Sequence, residues 1–188
     1  MKALRQRDCD LFAIETIPSL KEADALLQTL KEHPSTKAWV TFSCQDGHSY
    51  KVSSKDDVLK TAYGDSWADS VITLSEKYGR DGLMGVGINC TRPSSIIPLL
   101  DSLKSHAKFS RLDPDMKIIL YPNSGENWSP EKGYYRSGDS FRPFKDFGLE
   151  WLRYELGERD AWVGGCCQVF PSDVASLHLL CYRDVGAG

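Results

Sequence analysis

The 188-residue chain has no long apolar run, no block of like charge and no cysteine pair of the CxxC kind. Without some 20 consecutive apolar residues, a membrane-spanning helix is not expected. Its 23 Lys and Arg are scattered among 26 Asp and Glu, for a net charge of -3. No basic patch results, so neither nucleic acid nor anionic lipid is an expected partner. The segment from Met1 to Asp8 carries charge but lacks the apolar stretch of a secretory signal, and the expected setting is cytoplasmic. There, six cysteines read as thiols or metal ligands rather than as a disulfide framework.

Short apolar runs alternate with amphipathic stretches along the whole chain. Asp10–Glu15, Ala38–Cys44, Leu83–Asn89, Lys117–Tyr121 and Ala161–Gly164 read as buried strands. Ser19 and Glu22 form a capping-box pattern ahead of Leu20, Ala23, Leu26, Leu27 and Leu30, which fall at helical spacing. Further helices are expected over Lys55–Tyr63, Trp67–Tyr78, Pro93 to about His106, Lys145–Leu156 and Pro171 to about Cys181. A loop rich in Gly, Ser and aromatic residues spans Asn123 to about Pro143.

Five strand–helix units in a row, with short apolar strands, imply an α/β protein with a parallel sheet, and residues 1–188 read as a single domain. An open doubly wound sheet and part of a (β/α)8 TIM-type barrel both fit. The polar residues favour the barrel. Glu15, Ser43, Cys44, Asn89, Cys90, Asn123, Cys166 and Cys167 all lie at or just beyond strand ends, which a barrel gathers at one mouth.

Cys90, Cys166 and Cys167 stand at those ends. A catalytic zinc site uses three protein ligands and keeps a fourth position open, and thiolates are good ligands. Adjacent side chains on a strand point to opposite faces, so Cys166 and Cys167 share a metal only if the strand breaks into a turn. Gly164 and Gly165 offer the freedom for that. Spacing alone leaves open whether these are ligands or inert core thiols. Cys9, Cys44 and Cys181 read as core cysteines. Of the four histidines, His33, His106 and His178 lie on or beside helices and His48 in a loop, none where a metal is expected. Trp128, Tyr134, Tyr135 and Phe141 read as loop packing.

Four motifs, in order and across nearly the whole chain, resemble the signatures of the homocysteine S-methyltransferases. They are Phe12-Ala-Ile-Glu-Thr-Ile-Pro18, Gly87-Ile-Asn-Cys90, Tyr121-Pro-Asn-Ser-Gly-Glu126 and Gly164-Gly-Cys-Cys167. The resemblance implies a (β/α)8 barrel with Zn2+ held at its mouth by Cys90, Cys166 and Cys167. It also implies Glu15 on the amino group of homocysteine, and methyl transfer from S-methylmethionine or S-adenosylmethionine to the homocysteine thiol, giving methionine. Ser43 and Asn123 are expected to bind substrate polar groups or to orient the ligands.

Two features depart from the family pattern. Its Asp-Gly-Gly strand end is not found, so about five of eight units are expected, with the first three missing and little activity from this chain alone. Exposed sheet edges would then invite self-association or a missing N-terminal segment. Gln168-Val-Phe-Pro171 stands where the family usually has Arg-Thr-Thr-Pro. The competing readings are a catalytically inactive partial barrel that retains zinc or a partner, and a thiol redox protein using Cys166 and Cys167. The latter lacks CxxC spacing.

Overall fold

A computed structural model describes residues 11–33, 35–45, 59–79, 82–135, 144–152, 154 and 160–185. Its elements in chain order are β1 (Leu11–Ile17), α1 (Leu20–Lys31), β2 (Lys37–Phe42), α2 (Trp67–Tyr78), β3 (Leu83–Asn89), α3 (Ile96–Lys104) and β4 (Lys117–Tyr121). There follow β5 (Asn127–Ser129), β6 (Gly133–Tyr135), α4 (Phe144–Leu152), β7 (Ala161–Val163) and α5 (Pro171–Val185).

The strands β1-β2-β3-β4-β7 form one sheet, parallel throughout and in chain order, while β5 and β6 form a separate antiparallel hairpin. A doubly wound sheet reverses its strand order at a switch point. No reversal occurs here, and consecutive helices from α1 to α5 pack against one another as a single layer.

Register separates the two faces of the sheet. Ala38, Val40, Phe42, Val86, Ile88, Ile118 and Leu120 alternate onto one face and are buried with Leu27, Leu30, Val71, Leu74, Leu99 and Leu103 of the helices. Trp39, Thr41, Gly85, Gly87, Ile119, Tyr121 and Trp162 line the other. Trp39 on β2 meets Trp162 on β7 edge to face at 6.0 Å, with two strands between them. Its Nε1 donates to the Tyr121 hydroxyl at 3.2 Å. Such reach requires the sheet to curl toward this face, with Gly85 and Gly87 leaving the room.

Most expected elements are present. The expected bounds of α2, β3 and β4 are the observed ones, and Pro93–Ser95 is a 3-10 turn before α3. Three expectations change. Leu26 is 40% exposed, because the core stripe of α1 is Ala23, Leu27 and Leu30. Lys60 and Thr61 make isolated bridges and Tyr63 lies in a turn, so the end of the expected Lys55–Tyr63 helix is not helical. The loop after β4 holds the β5–β6 hairpin. Cys9, His48, Phe141 and the first part of that expected helix lie outside the described residues.

Ser19 caps α1 as expected, its Oγ accepting from Glu22 N–H at 3.2 Å, while the Asp65 carboxylate takes the Leu20 N–H at 2.7 Å. With that second acceptor in place, Ser19→Ala is expected to cost about 0.5–1 kcal/mol, the lower part of the N-cap range. The urea midpoint should fall at unchanged slope. A loss above about 2 kcal/mol contradicts this account.

Candidate functional site

The C-terminal ends of the strands carry the polar chemistry, and the backbone there is bent. Glu15 and Thr16 together oppose Thr41, a bulge that shifts the β1–β2 register between Ile14 and Ile17. Among the described residues, three that are not glycine have a left-handed backbone: Thr16 (φ 59°), Cys90 (φ 47°) and Gln168 (φ 60°). Each such residue costs about 1–3 kcal/mol and persists only where its surroundings enforce it. All three sit at this end of the sheet.

Cys90 leaves β3 in that conformation, its N–H directed to the Tyr121 carbonyl at 3.4 Å. The segment after β7 turns over the end of β4: Gly164 N–H donates to Leu120 O at 2.8 Å, Cys166 N–H to Pro122 O at 2.8 Å, and Ser124 N–H to Cys167 O at 3.0 Å. Val169 N–H closes the turn on Cys166 O at 3.0 Å. The strand therefore ends before the cysteine pair, and both side chains turn to Cys90. Gly164 and Gly165 do not act through a left-handed backbone. Gly165 supplies space, since a Cβ there would overlap the Val169 side chain.

The Cys90 sulfur lies 2.7 Å from that of Cys166 and 3.4 Å from that of Cys167, and the latter two are 3.8 Å apart. These are free thiols, partly exposed, with all three ligand atoms within 4.8 Å of one another. Zinc–sulfur bonds near 2.3 Å at tetrahedral angles place thiolates about 3.8 Å apart. The Cys166–Cys167 pair already has that spacing, and Cys90 need move only about 1 Å to match it. Three soft donors on one side of an open mouth fit a zinc ion with one position left free.

The thiols also polarise one another. Hydrogen bonding from Cys90, helped by the Cys167 backbone and side chain and by Asn89, holds Cys166 below the usual thiol range against the opposing effect of burial. Cys90 is correspondingly pushed up by its bond to Cys166 and by burial. Cys166 is thus the favoured thiolate. Buried Cys44 has its thiol pushed up by desolvation and takes no part, in line with a core role.

Glu15 is exposed, and its charge acts on the hydroxyl of Tyr121. That hydroxyl contacts Trp39 Nε1 at 3.2 Å and Thr41 Oγ1 at 2.6 Å. Burial and the Glu15 charge leave the Tyr121 phenol pushed up to about 12. Asn123 shapes its own loop: Oδ1 accepts from Gly125 N–H at 2.9 Å, and its N–H donates to Thr91 O at 3.1 Å. Ser43 is half-buried, its N–H bonded to Ile17 O at 3.2 Å and its carbonyl accepting from Ala62 at 2.8 Å. The fold gathers Glu15, Ser43, Asn123 and the three cysteines at the strand ends.

Sequence reasoning placed Asn89 at a strand end without a role, read Tyr134 as loop packing and missed Arg92. Asn89 bridges β3 to Thr16 through two hydrogen bonds. Tyr134, expected in loop packing, is exposed on the β5–β6 hairpin, and its interaction with Cys167 raises its phenol pKa. Arg92 ties the same hairpin down through the Gly125 carbonyl at 3.0 Å and the Asn127 side chain. The Asn-Cys-Thr-Arg run after β3 was the available signal, since four polar residues at a buried strand end need partners.

A family model described as homocysteine S-methyltransferase matches residues 1–181. The chain is 33% identical to homocysteine S-methyltransferase YbgG of Bacillus subtilis, covering 94% of this chain and 48% of that protein. It is 32% identical to a betaine-homocysteine S-methyltransferase of Drosophila melanogaster, over 89% of this chain and 46% of that one. The crystal structure of the Escherichia coli homocysteine methyltransferase MmuM in its metallated form resembles the chain with a TM-score of 0.63 at 24% identity, over 95% of this chain and 48% of that one. The chain thus spans about half the length of the curated relatives it matches.

Proposed function

This chain belongs to the homocysteine S-methyltransferase family, and from that premise we propose that Cys90, Cys166 and Cys167 hold a zinc ion serving methyl transfer from a sulfonium donor to homocysteine. The supporting observation is the convergence of three free thiols from two segments 76 residues apart in sequence. Bound zinc supplies a Lewis acid that lowers the pKa of a thiol entering its open position.

The chain's own residues then have separable tasks. The Glu15 carboxylate, exposed at the strand ends, holds the ammonium of homocysteine. Asn123 and Ser43 lie at the same end and meet the polar groups of the substrates. Homocysteine, its thiol proton lost to solvent, attacks the donor methyl carbon; a sulfur–carbon bond forms, the donor's methyl–sulfur bond breaks, and the sulfonium leaves as a neutral sulfide. No general base is needed in the transfer itself. Relatives named with and without betaine match almost equally, so the choice of a sulfonium donor rests on the Tyr121–Glu126 loop. A cytoplasmic setting keeps such thiols reduced.

One observation favours a second reading, a partial barrel without turnover of its own. On the face bearing Trp39 and Trp162, Thr41 and Ile119 are buried, but Trp162, on β7, is 39% exposed. Parallel sheets are normally covered on both faces. The remaining strand–helix units would come from a further segment or a second copy.

Zinc per chain and conversion of homocysteine to methionine, with S-methylmethionine or S-adenosylmethionine as donor, test both readings. The expected result is one zinc and background turnover for the 188 residues alone, with turnover appearing when the first three units of a relative are co-expressed. A chain that retains no zinc overturns the metal centre, and robust turnover without the added units overturns the partial barrel.

A further inference from the structure

Asn89 is the last residue of β3 and is fully buried. Both its acceptor and a donor are committed to one residue two strands away. Its Oδ1 accepts from Thr16 N–H at 2.8 Å, and its Nδ2 donates to Thr16 Oγ1 at 2.7 Å. The β1–β2 ladder is interrupted at Thr16 by the bulge, so Asn89 provides the partner that the broken ladder withholds from its N–H. Thr16 is β-branched and left-handed at φ 59°, a conformation that such residues hold only when neighbours enforce it. The two bonds from Asn89 are the enforcement.

Cys90 is the next residue in the chain, and its sulfur lies 2.7 Å from that of Cys166 and 3.4 Å from that of Cys167. A single residue therefore links the strand end that carries Glu15 to the segment that carries Cys90. Homocysteine carries its nitrogen and sulfur on one short chain, which bounds their separation. It binds at both ends only if carboxylate and thiols are held at the matching separation.

We propose that Asn89 is a positioning residue that sets the distance between the Glu15 carboxylate and the thiol cluster, and through it the preference for a ligand with an amino group the length of homocysteine from its sulfur. The inference rests on the metal and substrate reading above. It differs from a packing role, because Asn89 then affects recognition of the amino group without affecting capture of a thiol.

Cobalt serves as the probe, since thiolate-to-cobalt absorption reports both metal and thiol binding. The full chain is loaded with Co2+ and titrated with homocysteine and with 4-mercaptobutanoate, which has the same carbon chain without the amino group. In the wild-type chain homocysteine is expected to bind more tightly. Asn89→Ala is expected to keep the cobalt band and the affinity for 4-mercaptobutanoate, while the homocysteine advantage shrinks roughly tenfold, the worth of one charge-assisted contact. Thr16→Ala, at an exposed position, removes the hydroxyl half of the clasp and should shift the advantage in the same direction by less, even if Asn89→Ala fails to fold.

An equal loss for both thiols, or an unchanged advantage in the variants, overturns the inference and leaves the metal centre standing. A wild-type chain that binds cobalt without preferring homocysteine overturns it as well. Failure of the wild-type chain to show any cobalt band overturns the metal reading, and the inference with it.

Discussion

On the proposed metal centre, Cys166→Ser is expected to give a chain that does not retain zinc through dialysis, with affinity at least 100-fold below that of the parent. The Cys166 sulfur lies within reach of both other members of the cluster, 2.7 Å from Cys90 and 3.8 Å from Cys167. It is also the thiol that its neighbours hold in the thiolate form. A serine hydroxyl supplies neither the soft donor nor the charge at neutral pH. Structural zinc sites contribute about 10–16 kcal/mol, so losing one of three protein ligands removes on the order of 3 kcal/mol or more. Competition against a chromophoric chelator measures the change. Affinity should also fall with pH in the parent, since Cys90, pushed up by its bond to Cys166 and by burial, must shed its proton to bind. Circular dichroism unchanged by Cys166→Ser would place the loss in the site, not the fold. Zinc retention by the variant would remove Cys166 from the ligand set.

Gly87→Ala is expected to prevent the sheet from forming. A Cβ at Gly87 would overlap the Ile119 carbonyl oxygen, with the Ile119 carbon at 2.6 Å and nitrogen at 2.8 Å. These are backbone atoms of the paired strand, so no rotamer change relieves the clash. β3 is also paired to β2 on its other side, which leaves it nowhere to retreat. Ordinary overpacking costs about 1–3 kcal/mol because side chains yield. Here the cost should be about 4 kcal/mol or more, a large share of a small domain's stability. The expected readout is insoluble protein, or soluble protein whose urea transition is lost or strongly lowered. Gly164→Ala is the matched control. Its nearest neighbour would be Tyr121 Cβ at 3.6 Å, ordinary contact, and its transition should stay within about 1 kcal/mol of the parent.

Much of the scaffold was legible because local periodicity and capping act over a few residues. The β3 run Leu83–Asn89, the α2 stripe from Trp67 to Tyr78 and the Ser19 cap depend on neighbours in sequence. Where the local signal was ambiguous, the outcome differed. Leu26 matched the helical spacing of α1 as well as Leu27 did, yet only contact with the sheet selects which leucine is buried. The β5–β6 hairpin, with strands of three residues each, is too short to leave a pattern. It takes its position from Arg92 and the loop after β4.

By itself, then, the sequence determined the parallel strand–helix order, the cysteines at the strand ends and, through its motifs, the family. Only the tertiary structure decided that the strands run in unbroken spatial order, that Cys166 and Cys167 turn the same way, and that Asn89 clasps Thr16. These rest on a bulge, on left-handed residues and on hydrogen bonds between atoms 73 or more positions apart. Backbone strain of this kind persists only when distant contacts enforce it, and distant contacts leave no periodic trace in a single sequence.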